Sequence, residues 1–387
     1  MAPRTALAGL ALVAAIGLAQ RATPARVDAV VLPRHGTSAA AGRQTAGLPS
    51  RLTDAEFWSL VEDMSEPDGI FRSDNLVSNE DTFQVILADL QRKVKPGGVY
   101  VGVGPDQNFT YIAVLKPAVV FIPDIRRGNL QMHLMYKALM EQSADRAAFL
   151  SRLFSRPRPD GLPASPTVQQ LFDAYAQAAP ARSMFEQTLA DILDGLRKVH
   201  GFKLSDAEVS GIEYILSNFF SAGPFLQYSS SPAGRGMRYP SFAELQMATD
   251  AAGIPRAYLA SEANYRAVRD LQQKNLIVPL VGNFGGPKTL RAVGAWARHR
   301  GARITTFYAS NVEQYLFQDR LWETFAANIA SMPLDASSTL IRSCFNSCIN
   351  PSFNSRVVML LDSMEDMVTA HQSGLITNYF DVLSRRR

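Results

Sequence analysis

Val99-Tyr-Val-Gly102-Val-Gly104-Pro-Asp106-Gln107-Asn108-Phe-Thr-Tyr111 decides the fold. Val99–Val103 is a short apolar run of β-branched and aromatic residues, and Gly104-Pro-Asp-Gln-Asn opens a helix that continues to Lys116. Strand, glycine turn and helix follow one another without a spacer. Glycines at such a turn let a ligand approach the backbone, and the helix start presents N–H groups to polar or anionic atoms.

The texture on both sides agrees. Ala118–Ile122 reads as the next strand and ends in Pro123-Asp124, and Gly128 to Gln142 is helical. After a long interval the alternation resumes. Arg256–Ala260 is expected as a strand, Glu262–Lys274 as a helix, Leu276–Val281 as a strand, Gly286–Arg300 as a helix and Ala302–Tyr308 as a strand. Strands alternating with helices at this spacing imply right-handed βαβ units and a buried parallel sheet, an α/β protein of the Rossmann-like type.

Outside these halves the chain is mostly helical. Thr53 or Asp54 caps a helix carrying Phe57, Leu60 and Val61, and Asn79 caps one running to about Lys93. Residues 145–154, 166–179, 182–199 and 205–221 form a helical insertion, which places residues 143–240 over the sheet with a Ser/Gly-rich loop at 227–240 that reads equally as a candidate lid or a disordered surface loop. The organisation expected is a leader at 1–22, a linker at 23–52, the first half of the sheet domain at 53–142, the insertion at 143–240 and the second half at 241–387.

The leader has a basic start, Met1-Ala-Pro-Arg4, an uncharged run from Thr5 to Ala19, and small residues around Ala19-Gln20 and Ala22. That layout fits a secretory signal. An uncleaved anchor, or a misassigned start codon with a cytoplasmic product, are the competing readings, and membrane contact is expected only through this segment. The 387 residues are 47% hydrophobic, enough for a large core, and the 39 basic and 35 acidic residues leave a net charge of +4. Much of the excess is arginine near the two ends, with no aromatic-interleaved basic face, so nucleic acid is not an expected partner. Cys344 and Cys348 are the two cysteines. With no histidine near them they do not read as a zinc site, and a small disulfide loop or two incidental thiols are both open.

Candidate ligand groups follow the strand ends. Asp124 stands roughly twenty residues past the glycine turn, where an acid grips ribose hydroxyls in nucleotide-binding sheets. Arg126 and Arg127 in Asp124-Ile-Arg-Arg-Gly-Asn129 suit a carboxylate or phosphate, or pair with surface acids. The loop Arg72-Ser-Asp74-Asn75 is a candidate to close over them. Gly282-Asn283-Phe-Gly-Gly-Pro287-Lys288-Thr289 has the spacing of a phosphate loop, but Pro287 supplies no N–H where that loop has a glycine. Gly282, Asn283 and Lys288 are therefore kept as general ligand-facing candidates. Ser310 or Asn311 is expected to cap the following helix. Arg34-His35-Gly36 resembles the start of histidine phosphatases, but none of the other histidines has an adjacent acid.

Four phrases carry a resemblance: Phe71-Arg-Ser-Asp-Asn75, Val101 to Tyr111, Asp124-Ile-Arg-Arg-Gly-Asn129 and Ser310-Asn-Val-Glu-Gln-Tyr-Leu316. Over about residues 53 to 343 the chain resembles a family of uncharacterised bacterial proteins related to class I S-adenosylmethionine-dependent methyltransferases. The resemblance implies a methyltransferase-like fold binding a small nucleotide-type ligand, with S-adenosylmethionine as the implied cofactor. Gly102 and Gly104 would face its methionine part, with Asp106, Gln107 and Asn108 around the same turn. Asp124 would face its ribose beside Arg126, and Glu262 or Asn283 would flank its adenine. The pattern also departs from that group. Tyr100 and Val101 occupy the place of the usual acid at the end of the first strand, and Gln107 and Asn108 replace the third glycine. A non-catalytic exported binding or scaffold protein of the same fold is the alternative.

Overall fold

The computed structural model describes residues 47–228, 239–350 and 355–385. The leader at 1–22, the Arg34-His35-Gly36 motif and most of the 227–240 loop therefore lie outside the described residues.

Six strands form one mixed sheet: β1 (Val99–Gly102), β2 (Val119–Asp124), β3 (Ile277–Val281), β4 (Ile304–Ser310), β5 (Thr339–Asn350) and β6 (Ser355–Ser363). Their order is β3-β2-β1-β4-β5-β6, with β1 to β5 parallel and β6 antiparallel to β5. Every residue of β1, β2 and β3 is buried. That is why these segments read as unbroken apolar runs: helices cover both faces of the sheet. The two strand prolines sit where a missing N–H costs least. β3 is an edge strand, and Pro123 lies past Val101↔Phe121, the last β1–β2 pair.

The helices are α1 (Asp54–Met64), α2 (Leu87–Lys93), α3 (Gln107–Leu115), α4 (Arg127–Glu141), α5 (Arg146–Phe154), α6 (Val168–Gln177), α7 (Arg182–Asp194), α8 (Asp206–Ala222), α9 (Phe242–Met247), α10 (Glu262–Gln273), α11 (Thr289–His299), α12 (Val312–Gln318), α13 (Trp322–Ala330), α14 (Met364–Gln372) and α15 (Tyr379–Ser384). α1 starts at the Thr53–Glu56 capping box, in which the Glu56 N–H donates to Thr53 Oγ1 at 3.2 Å and the Thr53 N–H to Glu56 Oε2 at 2.7 Å. The insertion is helical as its periodicity indicates. α5 and α8 pack on each other and α8 on α4, and a π turn at Gly195–Val199 continues α7.

Three expectations need correction. Arg256–Ala260 is not a strand. It is a buried turn, closed by the Ala260 N–H on Ala257 O at 2.9 Å. Tyr258 N–H donates to Thr110 Oγ1 at 3.2 Å and Leu259 O accepts from Arg146 Nη1 at 2.7 Å, so its backbone groups are satisfied away from the sheet. The helix expected from Asn79 begins only at Leu87, because Glu80 is held at the sheet (below) and the chain from 81 to 86 advances in turns. The β5–β6 hairpin has no counterpart in the expected strands. It carries the buried Arg342, which donates to Glu313 at 2.7 and 3.0 Å and to Asp362 at 2.8 Å. It also carries a disulfide between Cys344 and Cys348, whose Cα atoms are 5.7 Å apart.

Candidate functional site

The sheet order places a crevice outside the C-terminal ends of β1, β2, β3 and β4, where strand order reverses between β1 and β4. A cleft of about 330 Å³ opens there. Its floor is Gly104, Asp124, Asn283 and Ser310, and its walls include Phe71, Tyr228, Phe284 and Tyr315. Phe71 and Tyr315 meet edge to face, with centroids 5.3 Å apart.

The glycine turn divides into a part that faces the cleft and a part that faces the interior. Gly104 has φ +79°, and a Cβ added to it would meet nothing within 4 Å. Its backbone is therefore open to the cleft, and the left-handed conformation requires the glycine. Gly102 does not line the cleft. A Cβ there would lie 2.1 Å from Asn108 Oδ1 and 2.6 Å from the Tyr100 ring. Asn108 explains this packing: its Nδ2 donates to Val103 O, Gly104 O and Pro105 O at 2.9, 3.2 and 2.8 Å, and its Oδ1 accepts from Tyr100 OH at 2.9 Å. The asparagine in place of a third glycine thus braces the turn from inside. His133 is packed beneath it, with Nε2 2.9 Å from Gly104 O, and burial pulls its imidazole down to about 4. Asp106 occupies the N-cap of α3 without capping it. Its Oδ2 accepts from Gln246 Nε2 at 2.9 Å, and burial pushes its carboxyl up to about 7.

Gln107 leads to the residue that sequence reading passed over. Its Nε2 donates to Glu80 Oε2 at 2.7 Å. The same carboxylate accepts from Tyr308 OH at 2.9 Å, from Ser310 Oγ at 2.6 Å and from Ser343 Oγ. Glu80 is 1% exposed, lines the cleft, and forms no ion pair with a described basic side chain. The segment before the sheet thus brings an acid to the cleft. Nothing in the spacing around Glu80 marks it; Asn79-Glu80 reads as an ordinary helix start. Ser310 and Asn311 do not cap α12 through their side chains, because Ser310 is turned to Glu80. Ser310 and Asn75, both lining the cleft, have φ of +51° and +46°, a left-handed backbone without glycine.

Asp124 and Arg126 both reach the cleft and hold each other. Asp124 Oδ1 accepts the Arg126 N–H at 2.9 Å and lies 3.2 Å from Nε, and Oδ2 accepts from Nη2 at 3.3 Å. Arg127 turns away to Glu208 on α8. Glu262 lies at α10 and pairs with Arg146 at 2.8 Å, outside the cleft.

The loop between β3 and α11 binds an anion from its own chain. Glu66 Oε1 accepts the N–H groups of Lys288 and Thr289 at 2.8 and 3.0 Å, and Oε2 accepts that of Asn283 at 3.0 Å. A Cβ on Gly286 would lie 2.3 Å from this carboxylate. The phosphate-loop spacing is thus the spacing of a nest around Glu66. Lys288 Nζ donates to Ser65 O at 2.8 Å and does not line the cleft, while Gly282 and Asn283 do.

A family model, the domain of unknown function DUF7790, matches residues 75–198 and 240–373. The chain belongs to the DUF7790 family. No curated protein matches it. The DUF7790 segments contain Asn75, Glu80, the whole glycine turn, Asp124, Arg126, Asn283 and Ser310, so the cleft floor is built from the family's own residues. Among the described residues no cluster of three His, Cys, Asp or Glu side chains is placed to hold a metal ion, and no helix is long and apolar enough to cross a membrane.

Proposed function

We propose that the cleft binds a nucleoside-type ligand with a cationic group, and that S-adenosylmethionine is the first such ligand to test. The observation that carries this reading is Glu80, a carboxylate buried at the cleft among four neutral donors and, among the described residues, without a basic partner. A cation or an N–H-rich group of a ligand supplies the complementary charge. Gly104 beside it lets ligand atoms approach the backbone. Phe71, Phe284 and Tyr315 offer an apolar wall to a flat base, and Asp124 keeps acceptor capacity for ribose hydroxyls beside its contacts with Arg126. The nest at 282–289 serves Glu66, which favours a nucleoside over a ligand that needs a phosphate cradle. If transfer occurs, the chain's contribution is to hold donor and acceptor in line.

A second reading is a binding protein without transfer chemistry. It is favoured by Glu80, whose oxygens already accept from Gln107, Tyr308, Ser310 and Ser343. Calorimetric titration with S-adenosylmethionine and S-adenosylhomocysteine tests the ligand, and incubation with labelled methyl donor and cell extract tests transfer. Binding that weakens at least ~10-fold in Glu80→Gln, about 1.4 kcal/mol, is expected. Absence of heat with either compound at about 1 mM, where a complex of about −4 kcal/mol still registers, rejects the cofactor.

A further inference from the structure

Residues 65–80 have no helix or strand, yet the two halves of this segment are held differently. Leu76, Val77, Ser78 and Glu80 are buried. From Glu66 to Asn75 no side chain is buried, and Ile70 is 94% exposed. This first half is held by polar contacts at its two ends and in its middle. At one end Glu66 sits in the nest of the β3–α11 loop, and its N–H donates to Val281 O at 2.8 Å. At the other, Asp74 Oδ2 accepts from Tyr214 OH at 2.7 Å, and Asp74 O accepts from Arg126 Nη1. Between them Gly69 N–H donates to Ile125 O at 2.8 Å, and Asp68 accepts the Arg127 N–H at 2.6 Å.

The strap is also a partition. Behind it lies a second hollow of about 530 Å³ over α4 and α8, lined by Gly128, Gln131, Gly211 and Tyr214. Ile70, Phe71, Arg72 and Arg126 line both spaces. Lifting residues 67–74 joins the hollow to the cleft.

We infer that residues 67–74 form a lid on the cleft. It is hinged at the Glu66 nest and at the left-handed Asn75, latched by Asp74 on Tyr214 and Arg126 and by the Gly69–Ile125 and Asp68–Arg127 hydrogen bonds, and it opens toward the α4–α8 hollow to admit ligand. Segments with few buried apolar contacts open at a small fraction of the global unfolding free energy. The Phe71–Tyr315 contact closes the cleft mouth when the lid is down. The motion itself does not depend on the ligand proposed above.

The test uses the ligand-free full chain. Arg72 is exposed within the lid, so trypsin cleavage after it, followed by mass spectrometry under native conditions, reports opening. Tyr214→Phe removes one latch at a half-exposed side chain and is expected to speed that cleavage about fivefold, as expected for one lost hydrogen bond in a fast opening equilibrium, with an unchanged melting temperature. Hydrogen exchange is expected to show 68–74 opening well before β1. Equal cleavage rates in the two proteins, or exchange of 68–74 only with global unfolding, overturns the lid. Saturating S-adenosylhomocysteine is expected to slow cleavage at Arg72. Faster cleavage in Tyr214→Phe without protection by that compound upholds the lid and counts against the cofactor.

Discussion

The Tyr308 hydroxyl donates to Glu80 at 2.9 Å, and this bond ties the end of β4 to a segment that precedes the first strand of the sheet. Ser310 and Ser343 join the same carboxylate from β4 and β5, and Gln107 from the start of α3. One side chain thus collects donors from three elements at the point where strand order reverses.

Removing that acceptor leaves several buried donors unsatisfied. Glu80→Ala is expected to destabilise the fold by about 3 kcal/mol, and Glu80→Gln, which keeps one acceptor oxygen, by about 1–2 kcal/mol. Urea unfolding measures both. An alanine variant as stable as the parent chain contradicts the network.

The two glycines of the turn separate strain from packing. Gly104→Ala has room for its Cβ but must hold φ +79°, and it is expected to cost about 1 kcal/mol. Gly102→Ala drives a Cβ into Asn108 and Tyr100 and is expected to cost about 2–4 kcal/mol. Equal losses in thermal unfolding would mean that Asn108 yields freely.

Asp106 predicts a pH dependence. Burial raises its carboxyl to about 7 in the fold from an ordinary value near 3.8. The native state therefore holds a proton that the unfolded chain releases, and the stabilising contribution present at acid pH is lost as pH rises from about 4 to about 7. Asp106→Asn keeps an acceptor for Gln246 and removes the titration. It is expected to melt higher than the parent chain at pH 8, with the gap closing toward pH 4. A gap that does not change with pH excludes the effect.

His200 predicts the opposite partner chemistry. Its Nδ1 lies 2.7 Å from Asp54 Oδ1 and its Nε2 2.8 Å from Glu141 Oε2, with Lys137 also facing the group. Burial pushes the imidazole down, but the hydrogen bonds and charge of Glu141 and Asp54 outweigh it and leave the group above its ordinary value. A raised histidine contributes fully below its unfolded pKa, about 6.5, and less as pH rises through its folded pKa. His200→Asn is thus expected to lose most stability near pH 6 and progressively less toward pH 9. Urea midpoints that differ equally at both ends of that range would remove His200 as the cause.

Legibility tracks how local the cause is. β1, β2, β3 and β4 are apolar runs because both faces of a parallel sheet are buried, and that pattern is written along the chain. Arg256–Ala260 has the same texture, but Asn264, Arg146 and Thr110 satisfy its backbone from other elements. β5 carries Arg342, Ser343 and Cys344 into the interior, where Glu313, Asp362, Glu80, Ser310 and Cys348 satisfy them. Their signal was weak, although Val357–Leu361 after Asn350-Pro351 is an apolar run beyond a turn.

By itself the sequence determined an α/β chain, a helical insertion, and a glycine turn at Gly104 with Asp124 at the next strand end, since periodicity and turn chemistry act between near neighbours. Tertiary structure alone decided what those groups face. Asn108 turned inward to hold the turn, Glu66 filled the loop that has phosphate-loop spacing, and Glu80 crossed from before the sheet to join Asp124 at the cleft. Hydrogen-bond satisfaction of buried polar groups is settled between residues far apart in the chain, so no local pattern announces which acid will line the cleft.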